Sequence, residues 1–338
     1  MSGQDTRDER IAWLRRMRSP GEAHAAGIAR DLEWLEGPDR SLLTVDDPRY
    51  PVQLAAVPGM PAALFVRGEP ALLARPQVAV VGSRSATAAG CEAAFGFAAR
   101  LAAHGFAVTS GLATGIDAAA HRGALAAGGV TIAVCGTGLD RVYPPGHERL
   151  ADQIAATGVL VSEFPTGTPP VSHNFPRRNR LMSGLSRGVL VVEAAARSGS
   201  LITARLAGEQ GREVMAVPGS IHNPLARGCH RLIKEGAALV ESVDDVLAAL
   251  GASRLESATD CASGAREPAG IFQGELDSDA EMLLNALGFG PTDLDRLVER
   301  TGMSARSVLS KLQLLELEGR VETLAGGRYS RTTARQDR

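Results

Sequence analysis

Val78-Ala79-Val80-Val81-Gly82-Ser83-Arg84 is the stretch on which the fold turns. Four apolar residues, three of them valine, run without polar alternation into a glycine, a hydroxyl and an arginine. Continuous apolarity predicts a strand covered on both faces, as in a parallel sheet. Ser85 to Gly90 then lead into an alanine-rich stretch of helical length. The same alternation recurs at residues 106–110, 130–134, 159–162, 189–192, 214–217 and 238–240. Strands alternating with helices predict a doubly wound α/β domain. Ligands of such sheets sit beyond the carboxyl ends of the strands, where the topology switches.

On the amino-terminal side, residues 11–17 and 28–34 are apolar at helical period, with Pro20-Gly21 as a turn between them. They predict a small helical unit, either an interaction or DNA-binding element or a cap on the next domain. Asp47-Pro48-Arg49-Tyr50-Pro51 leads to Pro61 through Gly68, read as a connector entering a sheet edge. On the carboxyl-terminal side, residues 251–272 are rich in Ala, Ser, Gly and charge without a period, which reads as a linker. Helical patterns follow at 281–287, 294–299 and 305–318, then two short strands around Gly326-Gly327. Three helices and such a hairpin predict a winged helix-turn-helix. Thr301-Gly302-Met303-Ser304 supplies its bend and an N-cap serine.

The chain has 338 residues, 36 basic and 38 acidic side chains and a net charge of -2. The average hides a division. Residues 171–234 carry ten basic and three acidic side chains, or +7, whereas residues 275–330 carry six and ten, or -4. Only Lys234 and Lys311 are lysines, so no Walker A loop exists and arginine must make any phosphate contacts. The polar first ten residues hold no signal core, and no apolar run reaches 18 residues, so a cytoplasmic protein without a membrane span is expected. Cys91, Cys135, Cys229 and Cys261 fit no zinc or disulfide pattern and read as free thiols. His222 and His230 near Cys229 lack a fourth ligand, so no metal is expected.

Three glycine turns end strands. Gly82-Ser83-Arg84 would cradle an anion on helix-start amides. Ser110-Gly111 opens a second, in which Gly115 and Asp117 shape the loop ahead of His121. Gly136 and Gly138 frame a third, before the rigid Tyr143-Pro144-Pro145-Gly146-His147. Asn174-Phe175-Pro176-Arg177-Arg178-Asn179-Arg180 joins three arginines, two asparagines and an aromatic. Arginines suit phosphates, Phe175 a base face and the asparagines sugar or base edges. Arg197-Ser198-Gly199 forms another polar turn before a helix. With only Glu193, Glu209 and Glu213 nearby in sequence, the cluster is expected to keep free charge. In the winged module, Arg306 and Lys311 face Glu316 and Glu318, fewer cations than a major-groove reader carries.

Together these segments resemble the DNA-processing protein A family, also called Smf. The resemblance rests on Val80 to Arg84, Ser110 to Asp117, Gly136 to Asp140, Phe175 to Arg180 and Ser198 to Thr203. It implies a Rossmann-like parallel sheet with a mixed edge, an N-terminal small helical domain and a C-terminal winged helix. The division is 1–65 for the small helical (SAM or helix-hairpin-helix-like) domain and connector, and 66–250 for the Rossmann-like domain. The linker takes 251–272, the winged helix 273–331 and a tail 332–338.

The resemblance further implies a non-enzymatic protein without cofactor that binds and protects single-stranded DNA and loads the RecA recombinase, acting as a homodimer through the Rossmann-like domain. Ser83, Arg84, Phe175, Arg177 and Asn179 would line the DNA pocket, and Ser110, Gly111 and Arg178 would shape it. Gly82, Asn174, Arg180, Arg197, Ser198 and Gly199 complete the expected DNA-binding set. Two alternatives stand beside this. One is a phosphoribohydrolase-like enzyme on nucleoside monophosphates with Glu193 as its acid or base, although Val217-Pro218-Gly219-Ser220-Ile221 lacks that class's second glycine and glutamate. The other is a nucleotide-sensing transcription factor.

Overall fold

The structure, a computed structural model, describes residues 7–18, 24–55, 57–251, 279–288, 290–317, 320–324 and 326–331. The expected linker beyond Gly251 and the tail at 332–338 lie outside the described residues. Nine strands make the main sheet: β1 (Arg40–Thr44), β2 (Ala63–Gly68), β3 (Gln77–Val81), β4 (Ala107–Ser110), β5 (Thr131–Val134), β6 (Val159–Ser162), β7 (Gly188–Val191), β8 (Glu213–Ala216) and β9 (Ala238–Leu239). Their order is β1-β2-β6-β5-β4-β3-β7-β8-β9. The seven strands from β3 to β9 run parallel, and each lies within one residue of its expected position. β2 pairs antiparallel with β6, Phe65 opposite Ser162, and β1 pairs antiparallel with β2. This hairpin makes the mixed edge. A division at residue 65 would fall inside β2, because the segment read as a connector supplies that strand, and β1 comes before it.

Helices cover both faces. α1 (Arg7–Met17), α2 (His24–Leu35) and the short α3 (Val52–Ala55) precede the parallel strands. α4 (Ala88–Ala103), α5 (Ile116–Ala126), α6 (Glu148–Thr157), α7 (Asn174–Leu185), α8 (Ser200–Glu209), α9 (Arg227–Lys234) and α10 (Val243–Ala249) alternate with them. Strand periodicity sorts the core. Val78 and Val80 pack with Ala94 and Leu101 of α4, Ile116 of α5 and Val246 of α10. Ala79 and Val81 pack with Leu181 and Leu185 of α7 and Ala204 and Ala207 of α8. A third core joins Leu14, Ile28 and Trp34 to Leu42, Phe65 and Leu160, with Trp34 edge-on to Phe65 at 5.8 Å. The N-terminal helices are therefore a cap fused to the sheet edge.

A buried polar clamp fixes that cap. Asp31 is fully buried and accepts from Arg18 Nε at 2.6 Å and Nη2 at 2.8 Å. It also accepts from the Thr166 amide at 2.9 Å and hydroxyl at 2.7 Å. A buried carboxylate is tolerable only when saturated with donors in this way.

The C-terminal module is a winged helix: α11 (Asp279–Leu287), β10 (Thr292–Asp293), α12 (Leu294–Thr301), α13 (Ala305–Leu317), β11 (Val321–Leu324) and β12 (Arg328–Arg331), with β12 between β10 and β11. Gly302 ends α12 in the left-handed region at φ 66°, and Ser304 Oγ accepts from the Ser307 amide at 3.2 Å. The module has its own core around Leu283, Leu297, Leu312 and Leu315. It touches α4 through Arg300, which grips Glu92 at 2.8 and 2.9 Å. Among the described residues no helix is long and apolar enough to cross a membrane.

Candidate nucleic-acid interface

The carboxyl ends of β3, β4 and β5 meet the amino-terminal turn of α7. A cleft of about 80 Å³ opens there. β3 delivers Arg84 to it, β4 delivers Gly111, Ala113 and Thr114, and β5 delivers Gly136 and Thr137. Tyr143 and Pro144 close one side, and α7 lays Phe175 and Arg178 across. The strand order reverses between β3 and β7, yet the cleft lies over β3 to β5. The crossover helix α7 explains the offset, since its first turn reaches over those strand ends.

Arg84 is exposed, and its guanidinium sits 5.0 Å from the Phe175 ring centroid. Tyr143 tilts against the same Phe175 ring, with centroids 5.6 Å apart and planes at 38°. An aromatic face with a cation over it is the elementary platform for a base and its phosphate. The Arg84 carbonyl is held by the Thr114 hydroxyl at 3.1 Å. Ser83 lies between, its amide donating to Glu193 O at 2.7 Å and its hydroxyl accepting from the Ser85 amide at 3.2 Å. Gly82 packs on Ile116 and the Glu193 carbonyl.

Arg178 forms the floor. It is 4% exposed and donates through Nη1 to the carbonyls of Gly111, at 2.6 Å, and Val134. It ties the ends of β4 and β5 together, while its Nε has no partner among the described residues. Burial lowers its pKa, against the pull of Asp117 and Cys135. Asp117 is itself buried and accepts from the amides of Gly111 at 3.1 Å and Ala113 at 3.4 Å. Burial raises its pKa, opposed by Arg178 and those amides. Leu112 between them is buried with φ 60°, a strained conformation for a leucine, and its carbonyl meets His147 Nδ1 at 2.9 Å. Gly115 begins α5 at φ 73°, with its Cα pressed toward the Ser83 carbonyl. Gly136 faces Phe175, and the Gly138 amide donates to Thr168 O at 3.2 Å.

The remaining expected residues divide. Arg177 is 57% exposed and stacks 5.2 Å over Phe164. Arg180 pairs closely with Glu163, which also stands 3.7 Å from Arg177. Glu163 is thus the counter-charge that counting residues after 171 passed over. Burial raises its pKa, and the two arginines pull it down. Ser110 is fully buried and spends its hydroxyl on Val80 O at 2.6 Å, so it shapes rather than lines the cleft. Asn174 is buried, and Asn179 Nδ2 reaches Gly199 O at 3.4 Å. Arg197, Ser198 and Gly199 lie away from the cleft, on a separate open groove of about 840 Å³ between α8 and α9.

Glu193, considered as an acid or base, is not among the residues that line the cleft. It is buried and accepts from Thr87 at 2.9 and 2.8 Å and from Asn223 Nδ2 at 3.1 Å, a joint at the start of α4. His121 is a buried helix residue against Thr131 Oγ1 at 2.7 Å. Tyr143, Thr114 and Thr137 were not read as site residues. The rigid aromatic-proline loop after the third glycine turn was the available signal for Tyr143. Among the described residues no three His, Cys, Asp or Glu side chains gather as a metal site.

Known proteins bear on this geometry. The family described as "DNA recombination-mediator protein A" fits residues 41–251, and "DprA winged helix domain" fits residues 268–327. Protein Smf of Escherichia coli K12 is 46% identical over 307 residues, covering 89% of this chain and 80% of that protein. The X-ray structure of DNA processing protein A from Streptococcus pneumoniae is 45% identical with a TM-score of 0.62, covering 66% of this chain and 77% of that one. A solved structure of DNA processing protein A from Helicobacter pylori, described for its single-stranded DNA binding mode, is 28% identical with a TM-score of 0.57, covering 62% of this chain and 95% of that one. With its sheet, its strand-end turns and its winged module all matched in chain order, the chain belongs to the DNA recombination-mediator protein A family.

Proposed function

We infer that this chain binds single-stranded DNA in the cleft between Arg84, Phe175 and Tyr143, protects it, and promotes loading of the RecA recombinase during transformation and recombination. The observation that carries the reading is the Arg84 guanidinium over Phe175 at the mouth of a cleft floored by Arg178. Such a site takes a base on the ring and a phosphate on the cation without reading sequence. Gly111, Thr114 and Thr137 line it beside them. The family's relatives support DNA as the ligand, the Helicobacter pylori protein being described by its single-stranded DNA binding mode.

A homodimer through the sheet domain belongs to the same reading. β9 is an open edge strand, with Leu239 49% exposed and Ile221 75% exposed nearby in the chain after β8. An apolar open edge is a pairing surface. Salt-titrated binding of oligo-dT and of duplex DNA by the full chain tests the ligand. Tighter binding of oligo-dT, weakening with salt, is expected. The rate of RecA filament growth on oligo-dT, with and without the chain, tests the loading role.

A further inference from the structure

We propose that the N-terminal helical cap carries a second phosphate contact, with Arg30 extending the nucleic-acid track beyond the cleft. The inference rests on the cleft reading above and adds a contact on a different element.

The loop after β6 is the bridge. At one end of it Phe164 lies beneath the exposed Arg177, 5.2 Å from guanidinium to ring. Three residues on, Gly167 lies beneath the Arg30 guanidinium: a Cβ built on Gly167 would stand 3.2 Å from Arg30 Nη1. Two cations on two helices, Arg177 on α7 and Arg30 on α2, thus bracket one short loop. The loop is also joined to the cleft wall, because Gly167 donates to Asp140 at 2.9 Å and the Gly138 amide to Thr168 O. Gly138 is two residues from Gly136 of the cleft.

The helix turn that carries Arg30 is anchored. Its neighbour Asp31 is the buried carboxylate that holds Arg18 and Thr166. Yet Arg30 itself is exposed, and no described carboxylate pairs with it. An exposed guanidinium without a described carboxylate partner, beside a loop joined to the cleft wall, suits a phosphate of a strand leaving the cleft. The ligand is the backbone of a single-stranded nucleic acid leaving the cleft, taken without regard to base.

The test uses the full chain and oligo-dT of about two and about thirty nucleotides, the shorter sized to the cleft alone. Arg30→Glu should weaken the long oligonucleotide about tenfold, lower its salt slope by about 0.7 and leave the short one unchanged. Arg30→Lys should retain long-oligonucleotide binding. Arg84→Ala should weaken both lengths. Long-oligonucleotide binding untouched by Arg30→Glu, or both lengths weakened equally by it, overturns this proposal while Arg84→Ala still upholds the cleft. Unchanged binding of both lengths by Arg84→Ala overturns the cleft reading and this extension of it.

Discussion

Arg178 donates to the Gly111 carbonyl at 2.6 Å, and a Cβ on Gly111 would overlap the same guanidinium. The two residues are fitted at backbone distance. Gly111→Ala should therefore displace Arg178 from beneath the cleft and cost about 1–3 kcal/mol by overpacking. Arg178→Ala should leave the buried carbonyls of Gly111 and Val134 unpaired, at about 1–3 kcal/mol for each group. Urea midpoints of both variants, measured beside oligo-dT affinity, should fall together. A variant with weakened binding and an unmoved midpoint would instead place Arg178 in direct contact with DNA.

Arg84 is expected to separate from Arg178 in this respect. It is exposed, and its partners are the Phe175 ring and solvent. Arg84→Ala should lower affinity to a similar degree for dT, dC and mixed sequences and reduce the salt slope by about 0.7. Its melting temperature should stay close to that of the wild type.

Glu193 should behave as a structural joint. Glu193→Ala strands the Thr87 amide at the start of α4 and the Asn223 side chain, so a loss of about 2–4 kcal/mol is expected. Chemical denaturation reads that loss. Free base released from a nucleoside monophosphate by the wild type, and not by Glu193→Gln, would return this carboxylate to chemistry.

His121 predicts an acid dependence. Burial holds the imidazole neutral and pulls its pKa from 6.5 down to about 3. Between those values the unfolded chain carries a proton that the folded chain does not. The stabilising contribution is complete above pH 6.5 and is lost as pH falls below it, at up to about 1.4 kcal/mol per pH unit. Urea unfolding at pH 7 and pH 5.5 should show the decline. His121→Asn, which keeps a polar group toward Thr131, should flatten it.

Much of the sheet was legible, for a physical reason. Both faces of β3 to β7 are covered, so runs such as Val78 to Val81 must be apolar throughout and stand out from their surroundings. β1 was not, because Arg40-Ser41-Leu42-Leu43-Thr44 mixes polar and apolar residues and presents no continuous apolar run. The site was legible as a set of turns but not as contacts. Arg84 and Phe175, far apart in sequence, come into contact in the fold. Glu163 escaped notice because it pairs with Arg180 across the turn between β6 and α7, a proximity that residue spacing does not encode. Arg178 likewise reads as a surface cation in a row of arginines, and only the packing of α7 over two strand ends takes it inside.

The winged module's separate core has a calorimetric consequence. The cap shares Phe65 and Leu160 with the sheet, whereas Leu283, Leu297 and Leu312 close on one another alone. Cooperativity in unfolding follows shared apolar contact, and the Glu92–Arg300 grip supplies charge instead. A thermal scan of the full chain should resolve two heat-absorption peaks, the smaller belonging to the winged helix and moving with ionic strength. A single melting temperature would then describe neither unit.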